Sequence, residues 1–140
     1  MIWQKRDNKI RKGFTLVELL VVIVILSLLA GITAPKLFKQ IDESKWKLTK
    51  TKMKDIETSI DAYLFNCGEY PNSLNNLLTN PGIDGWLGPY LKQSQLQDPW
   101  GFEYIYVPNG TINSGSYDII SYGKDGTLGG DGYNADQYND

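Results

Sequence analysis

Twenty-one consecutive residues, Phe14 to Ala34 (FTLVELLVVIVILSLLAGITA), contain a single charged side chain, Glu18. At 1.5 Å per residue such a run makes a helix of roughly 30 Å, the thickness of a bilayer core. A chain of 140 residues holds enough material for one modest core plus an anchor. The acid is out of place in such a segment. An Asp at the centre of a membrane helix costs about 2.5–3.5 kcal/mol on insertion scales, so something must offset Glu18. The preceding residues suggest what does. In Lys12-Gly13-Phe14-Thr15-Leu16-Val17-Glu18 a basic leader ends at a glycine. If the chain is cut after Gly13, a charged α-amine appears on Phe14, about one helical turn from Glu18. That cation and that anion can pair, within one chain or between neighbours. A secretory signal peptide would have a shorter apolar region with its cleavage site after it. Here the processing site comes first, so the apolar segment is retained.

Charge is distributed unevenly. Residues 1–13 carry Lys5, Arg6, Lys9, Arg11 and Lys12 against Asp7, a net of +4. The remainder has nine basic and fifteen acidic residues, a net of −6. Positive charge before an apolar span marks the cytoplasmic side, and the acidic part is free to be translocated. A nucleic-acid arm is the competing reading of the leader. No second basic face accompanies it, so a nucleic-acid partner is not expected. The chain has no histidine and one cysteine, Cys67. An internal disulfide, Cys/His zinc sites and histidine acid–base catalysis are thereby excluded. Cys67 reads as a small core residue on a helix.

The helical pattern resumes beyond Pro35. Leu37, Ile41, Leu48, Ile56, Ile60 and Leu64 recur at multiples of three and four, with Lys, Asp and Glu on the other face. One long helix is predicted from about Phe14 to Asn66, kinked near Pro35; two helices joined by a hinge is the alternative. Cys67-Gly68 and then Pro71 stop it. A short second helix is predicted over Ser73–Thr79 with Ser73 as N-cap. Residues 80–101 form an ordered loop, whose Trp86, Tyr90 and Trp100 are packing residues rather than a sugar platform. Residues 102–107 and 117–121 read as strands of an antiparallel hairpin, laid on the apolar stripe of the helix.

The tail, GKDGTLGGDGYNADQYND from Gly123, holds five glycines and four aspartates. Oxygen donors at short intervals on a bendable chain suit calcium, which takes six to eight oxygens in flexible geometry. A solvated acidic tail is the other reading of this composition.

The residues KGFTLVELLVVIVILSLLAGITAPKL resemble the N-terminal signature of the type IV filament superfamily. The remainder is similar to the major pseudopilins of type II secretion. Asp61-Ala-Tyr-Leu-Phe-Asn-Cys-Gly-Glu-Tyr-Pro71 matches that family's helix end, and Gly88-Pro-Tyr-Leu-Lys92 and Asp98-Pro-Trp-Gly101 match its loop. Ser121-Tyr-Gly-Lys-Asp-Gly126 through Ala135-Asp136 matches its calcium loop. The ending Gln-Tyr-Asn-Asp departs from the family's short apolar-aromatic close.

The resemblance implies an α+β, type IV pilin-like fold: a long kinked N-terminal helix on a small antiparallel sheet, with a C-terminal calcium-binding loop. Residues 1–13 would be a cleaved cytoplasmic leader, and 14–35 a transmembrane and filament-core helix. Residues 36–140 would be a periplasmic domain with its calcium loop at about 121–137. A prepilin peptidase would cut between Gly13 and Phe14 and N-methylate Phe14. Glu18 would pair with the Phe14 amine of an adjacent subunit and set the axial register, the best-attested use of a buried charge. Pro35 would mark where the helix bends. Asp125, Asp131, Asn134 and Asp136, with the backbone carbonyl of Tyr122, would hold calcium.

The expected function is structural. The chain would polymerise in the periplasm into a filament that drives folded proteins across the outer membrane. It would work with minor pseudopilins, the prepilin peptidase and the inner-membrane assembly platform. A type IV pilin or DNA-uptake pseudopilin is the first alternative. A membrane-anchored periplasmic enzyme or binding module is the second.

Overall fold

The computed structural model describes Ile2 and residues 12–140. The leader charges Lys5, Arg6, Asp7, Lys9 and Arg11 lie outside the described residues. One helix, α1, runs Leu16–Cys67 and contains Pro35. The two-helix alternative is therefore set aside, and the helix begins two residues later than Phe14 and ends one beyond Asn66. Two compact units divide the chain, Met1–Lys39 and Gln40–Asp140.

In the first unit the apolar side chains of α1 are exposed all round, and this stretch is long and apolar enough to cross a membrane. Its hydroxyls do not stand free. Ser27 Oγ donates to the Ile23 carbonyl at 2.7 Å, and Thr33 Oγ1 to that of Leu29 at 3.0 Å. Such back-bonding would satisfy these hydroxyls in a bilayer, where there is no water to turn to.

In the second unit α1 buries Thr49, Met53, Ile56, Ile60 and Tyr63. These steps of four and three trace one helical face. They differ from the predicted stripe: Ile56 and Ile60 belong to it, but Leu37, Ile41 and Leu48 are exposed. The reason is angular. Ile41 and Leu48 fall on a heptad line that continues to Asp55 and Ala62, whereas Thr49, Ile56 and Tyr63 fall on the next, about 100° away.

The buried face joins Leu74, Leu77, Leu91, Leu96, Tyr104, Tyr117 and Ile119 in one core, with Cys67 packed partly buried against it. The short second helix is a 3₁₀ turn, Leu74–Leu77. Ser73 stands at its N-cap position without a capping bond, and its hydroxyl meets the Asn76 side chain instead. Trp86 and Tyr90 are packing residues, as expected. Trp86 Nε1 donates to the Asn76 carbonyl at 2.8 Å, and the Tyr90 hydroxyl accepts from Asn66 Nδ2 at 2.9 Å.

The hairpin is present but shorter than predicted: β1 Ile105–Val107 and β2 Asp118–Ser121, antiparallel, with Tyr106 opposite Ile119. A third strand, β3 Gln137–Tyr138, pairs antiparallel with β2, giving the order β1-β2-β3. The tail thus returns to the sheet at Gln137–Tyr138, while most of residues 124–132 stay exposed. Side chains tie the sheet to α1: the Tyr104 hydroxyl donates to the Thr49 carbonyl at 3.1 Å, and Gln137 Nε2 to that of Trp46 at 3.3 Å. Burial raises the Tyr104 and Tyr117 phenols above their usual value and pushes Tyr106 up to about 12. All three stay neutral at physiological pH.

Candidate functional site

The predicted site residues fall into two places. The first is the junction before α1. Residues 12–15 are non-helical and exposed, and an added Cβ at Gly13 would meet nothing within 4 Å. The backbone at the proposed scissile bond is open to a protease. Phe14 is 91% exposed.

Thr15 and Glu18 make a reciprocal pair. Thr15 N donates to Glu18 Oε2 at 3.1 Å, and Glu18 N to Thr15 Oγ1 at 3.1 Å. This is a capping box, in which a Thr and a Glu three residues on satisfy two otherwise orphaned backbone donors. Glu18 therefore has a partner in the uncut chain, at the helix end where the macrodipole favours an anion. The sequence pattern Thr-x-x-Glu carried this signal.

The second place is the loop between β2 and β3. Its two limbs lie side by side, tied by Lys124 N donating to the Tyr133 carbonyl at 2.8 Å. They approach so closely that a Cβ on Gly123, where φ is +71°, would lie 2.7 Å from the carbonyl oxygens of both Tyr133 and Ala135. Only glycine fits this crossing.

Asp125 is exposed and accepts the Thr127 N–H at 3.1 Å. Both Asp136 oxygens accept the Gly129 N–H at 3.0 Å. Asp131 is exposed and precedes the 3₁₀ turn Gly132–Asn134. Tyr122 and Asn134 are half-buried.

Among the described residues no three His, Cys, Asp or Glu side chains are grouped to hold one metal ion, so Asp125, Asp131 and Asp136 do not converge as a trio. None of the three takes part in the salt bridges of the described residues, and Lys124 pairs with Asp42 at 2.6 Å. The loop is thus rich in oxygen donors and carries uncompensated negative charge. A cation site in this loop would therefore need backbone carbonyls beside one or two of these carboxylates, a mixture that calcium accepts.

Two carboxylates that the sequence reading did not single out hold this half of the molecule together. Asp98 is buried and accepts Trp100 N, Phe102 N and, at 2.6 Å, the Ser121 hydroxyl. Asp118, also buried, accepts the backbone N–H groups of Thr111, Ile112 and Asn113 at 2.7–3.0 Å. Burial alone would raise the Asp118 carboxyl. These bonds outweigh it and hold the group below its usual value. Beside β3 lies a groove of about 450 Å³ whose lining includes Trp46, Lys47, Lys50 and Tyr138.

Residues 8–34 match the prokaryotic N-terminal methylation motif. Residues 36–140 match the family model for protein G of the type II secretion system. The chain belongs to the type II secretion system protein G family. Core protein G of Pseudomonas aeruginosa is 35% identical over 134 residues, covering 90% of this chain and 92% of that one. That of Vibrio cholerae is 34% identical, covering 92% of each chain. That of Xanthomonas campestris pv. campestris is 34% identical, covering 89% of this chain and 86% of the relative.

The crystal structure of the major pseudopilin from the type 2 secretion system of enterohaemorrhagic Escherichia coli shares the fold. Its TM-score is 0.59 at 24% identity, and the match covers 75% of this chain and 94% of that one. The pseudopilin fold expected from sequence is the fold observed, with a three-stranded sheet rather than a bare hairpin.

Proposed function

We propose that the chain is the major structural subunit of a type II secretion pseudopilus, and that its role is mechanical rather than catalytic. One observation carries this reading: a methylation motif over 8–34 opens an exposed apolar helix that runs directly into a protein G domain over 36–140. The protein G match over 36–140 favours this reading over the pilin and DNA-uptake alternatives. In this reading α1 anchors the chain in the bacterial inner membrane, with the leader in the cytoplasm and residues 36–140 in the periplasm. A prepilin peptidase cuts between Gly13 and Phe14 and methylates the new amine. The assembly platform then draws subunits into a filament with minor pseudopilins, and its growth pushes folded proteins through the outer membrane.

Glu18 changes partner on the way. Before cleavage it caps its own helix through Thr15; after cleavage it pairs with a Phe14 amine of a neighbour and sets the register, while Pro35 supplies a point where the helix lacks one backbone bond. Calcium belongs to the same reading. Asp125 and Asp136, with Asp131, Asn134 and the Tyr122 carbonyl as further donors, would hold it in the loop. The ion would supply the positive charge that this loop lacks.

Glu18→Ala tests the polymerisation step. The variant is expected to insert and be processed but to form no filaments by electron microscopy; normal filaments would remove Glu18 from the mechanism.

A further inference from the structure

Beyond β3 a side chain continues the pairing that the backbone began. Gln137 lies opposite Ser121 and Tyr138 opposite Ile120. At the next rung the Ile119 N–H donates to Asn139 Oδ1 at 2.7 Å. The same oxygen accepts from Asn113 Nδ2 at 3.2 Å. Asn139 Nδ2 donates to Glu57 Oε1 on α1 at 3.2 Å and to the Tyr117 carbonyl at 3.5 Å. Both donors and both acceptor sites of this half-buried amide are thereby used. One side chain joins β2, the turn at 111–113 and α1.

The rest of the loop meets the same side of α1. On the incoming limb Lys124 pairs with Asp42 at 2.6 Å, and the Tyr133 ring stands edge-on to Trp46 with centroids 6.1 Å apart. On the outgoing limb Gln137 Nε2 donates to the Trp46 carbonyl, and Lys50 bonds the Tyr138 carbonyl and Asp140. The anchors Asp42, Trp46, Lys50 and Glu57 follow at steps of four, four and seven, which is one helical stripe.

We propose that residues 137–140 are a strap, with Asn139 as its fastening, that keeps the loop between β2 and β3 closed on α1 whether or not a cation occupies it. The inference goes beyond the filament reading. It assigns closure of the loop to the chain's own side chains, so that calcium, in that reading, enters a loop already shut.

Asn139 is singled out by burial. The pairs Lys124–Asp42 and Lys50–Asp140 each have one side chain about half exposed, and such pairs hold weakly. Ile119 is fully buried, and a buried N–H left without its acceptor costs more than a lost surface ion pair. The loop also needs a fastening. It carries Asp125, Asp131 and Asp136, and its one lysine, Lys124, is already paired. Crowding these carboxylates in one loop works against closure until something holds the limbs together.

The test is amide hydrogen exchange on the detergent-solubilised full chain in excess chelator, read by mass spectrometry over residues 122–136. The unaltered chain should be protected there without calcium. Asn139→Ala should speed exchange of that segment roughly tenfold or more, with the core of α1 at 53–63 unchanged. Asn139→Asp sets a carboxylate against that of Glu57 and should open the loop as well. Adding Glu57→Gln supplies an amide that can donate to it and should restore protection. If Asn139→Ala loosens the whole domain, this pair of variants decides: no restoration overturns the strap. Exchange unchanged in every variant would also overturn it. So would an unaltered chain whose loop gains protection only when calcium is added, since the ion would then be the fastening. A loop closed in chelator, in a chain whose melting temperature calcium does not move, would leave the strap standing and remove the calcium proposal alone.

Discussion

Asp118 shows how one side chain closes a loop. Its buried carboxylate gathers three backbone N–H groups of residues 111–113 and ties that turn to β2. Asp118→Ala leaves them unpaired, at about 1–3 kcal/mol for each donor that finds no water. A loss of at least ~2 kcal/mol in urea unfolding of the detergent-solubilised chain is expected. The same group sets an acid limit. Its folded value lies below that of the unfolded chain, so its contribution is present above the usual aspartate range near pH 4 and fades as pH falls through the folded value. Asp118→Asn should therefore be less stable at neutral pH and lose less stability between pH 5 and pH 2. A parallel loss in both proteins would contradict this. Asp125 carries the calcium proposal at the same scale. Calcium should raise the melting temperature of the unaltered chain, and Asp125→Ala should abolish the rise; an equal rise in both would place the ion elsewhere.

Secondary elements show which parts of the fold the sequence makes legible. The long helix, its stop at Gly68 and the hairpin followed from periodicity, a turn glycine and β-branched runs. The buried face did not, because two heptad lines one residue apart both carry apolar side chains. Thr49 and Tyr63, polar-tipped residues, complete the true one. The difference is measurable. Ile56→Ala should cost about 2–5 kcal/mol, as core truncations do, and Leu48→Ala a small fraction of that. Comparable losses would restore the predicted stripe. β3 was not legible for another reason. Two residues, Gln137 and Tyr138, give no alternating pattern, and only the presence of β2 makes them a strand. At the candidate sites the residue types could be read, but not their partners. Thr15 with Glu18 had a recognisable spacing; the crossing of Gly123 over the carbonyls of Tyr133 and Ala135 depends on how the loop closes.

The whole molecule joins an apolar helix segment that none of the described residues buries to a domain with its own core. The first half is long and apolar enough to cross a membrane, and the second buries its own apolar side chains. A chain made this way is suited to being stored in a bilayer and then extracted, its apolar helix exchanging lipid for copies of itself. In the proposed mechanism cleavage at Gly13 would ready it, because only then would the Phe14 amine exist to meet Glu18. The most direct test is a mass spectrum of the N-terminus of the membrane-extracted protein, from cells with an active prepilin peptidase. The account predicts a chain that begins at Phe14 and carries one added methyl group. A chain still beginning at Met1 would contradict it and leave the apolar segment a plain anchor.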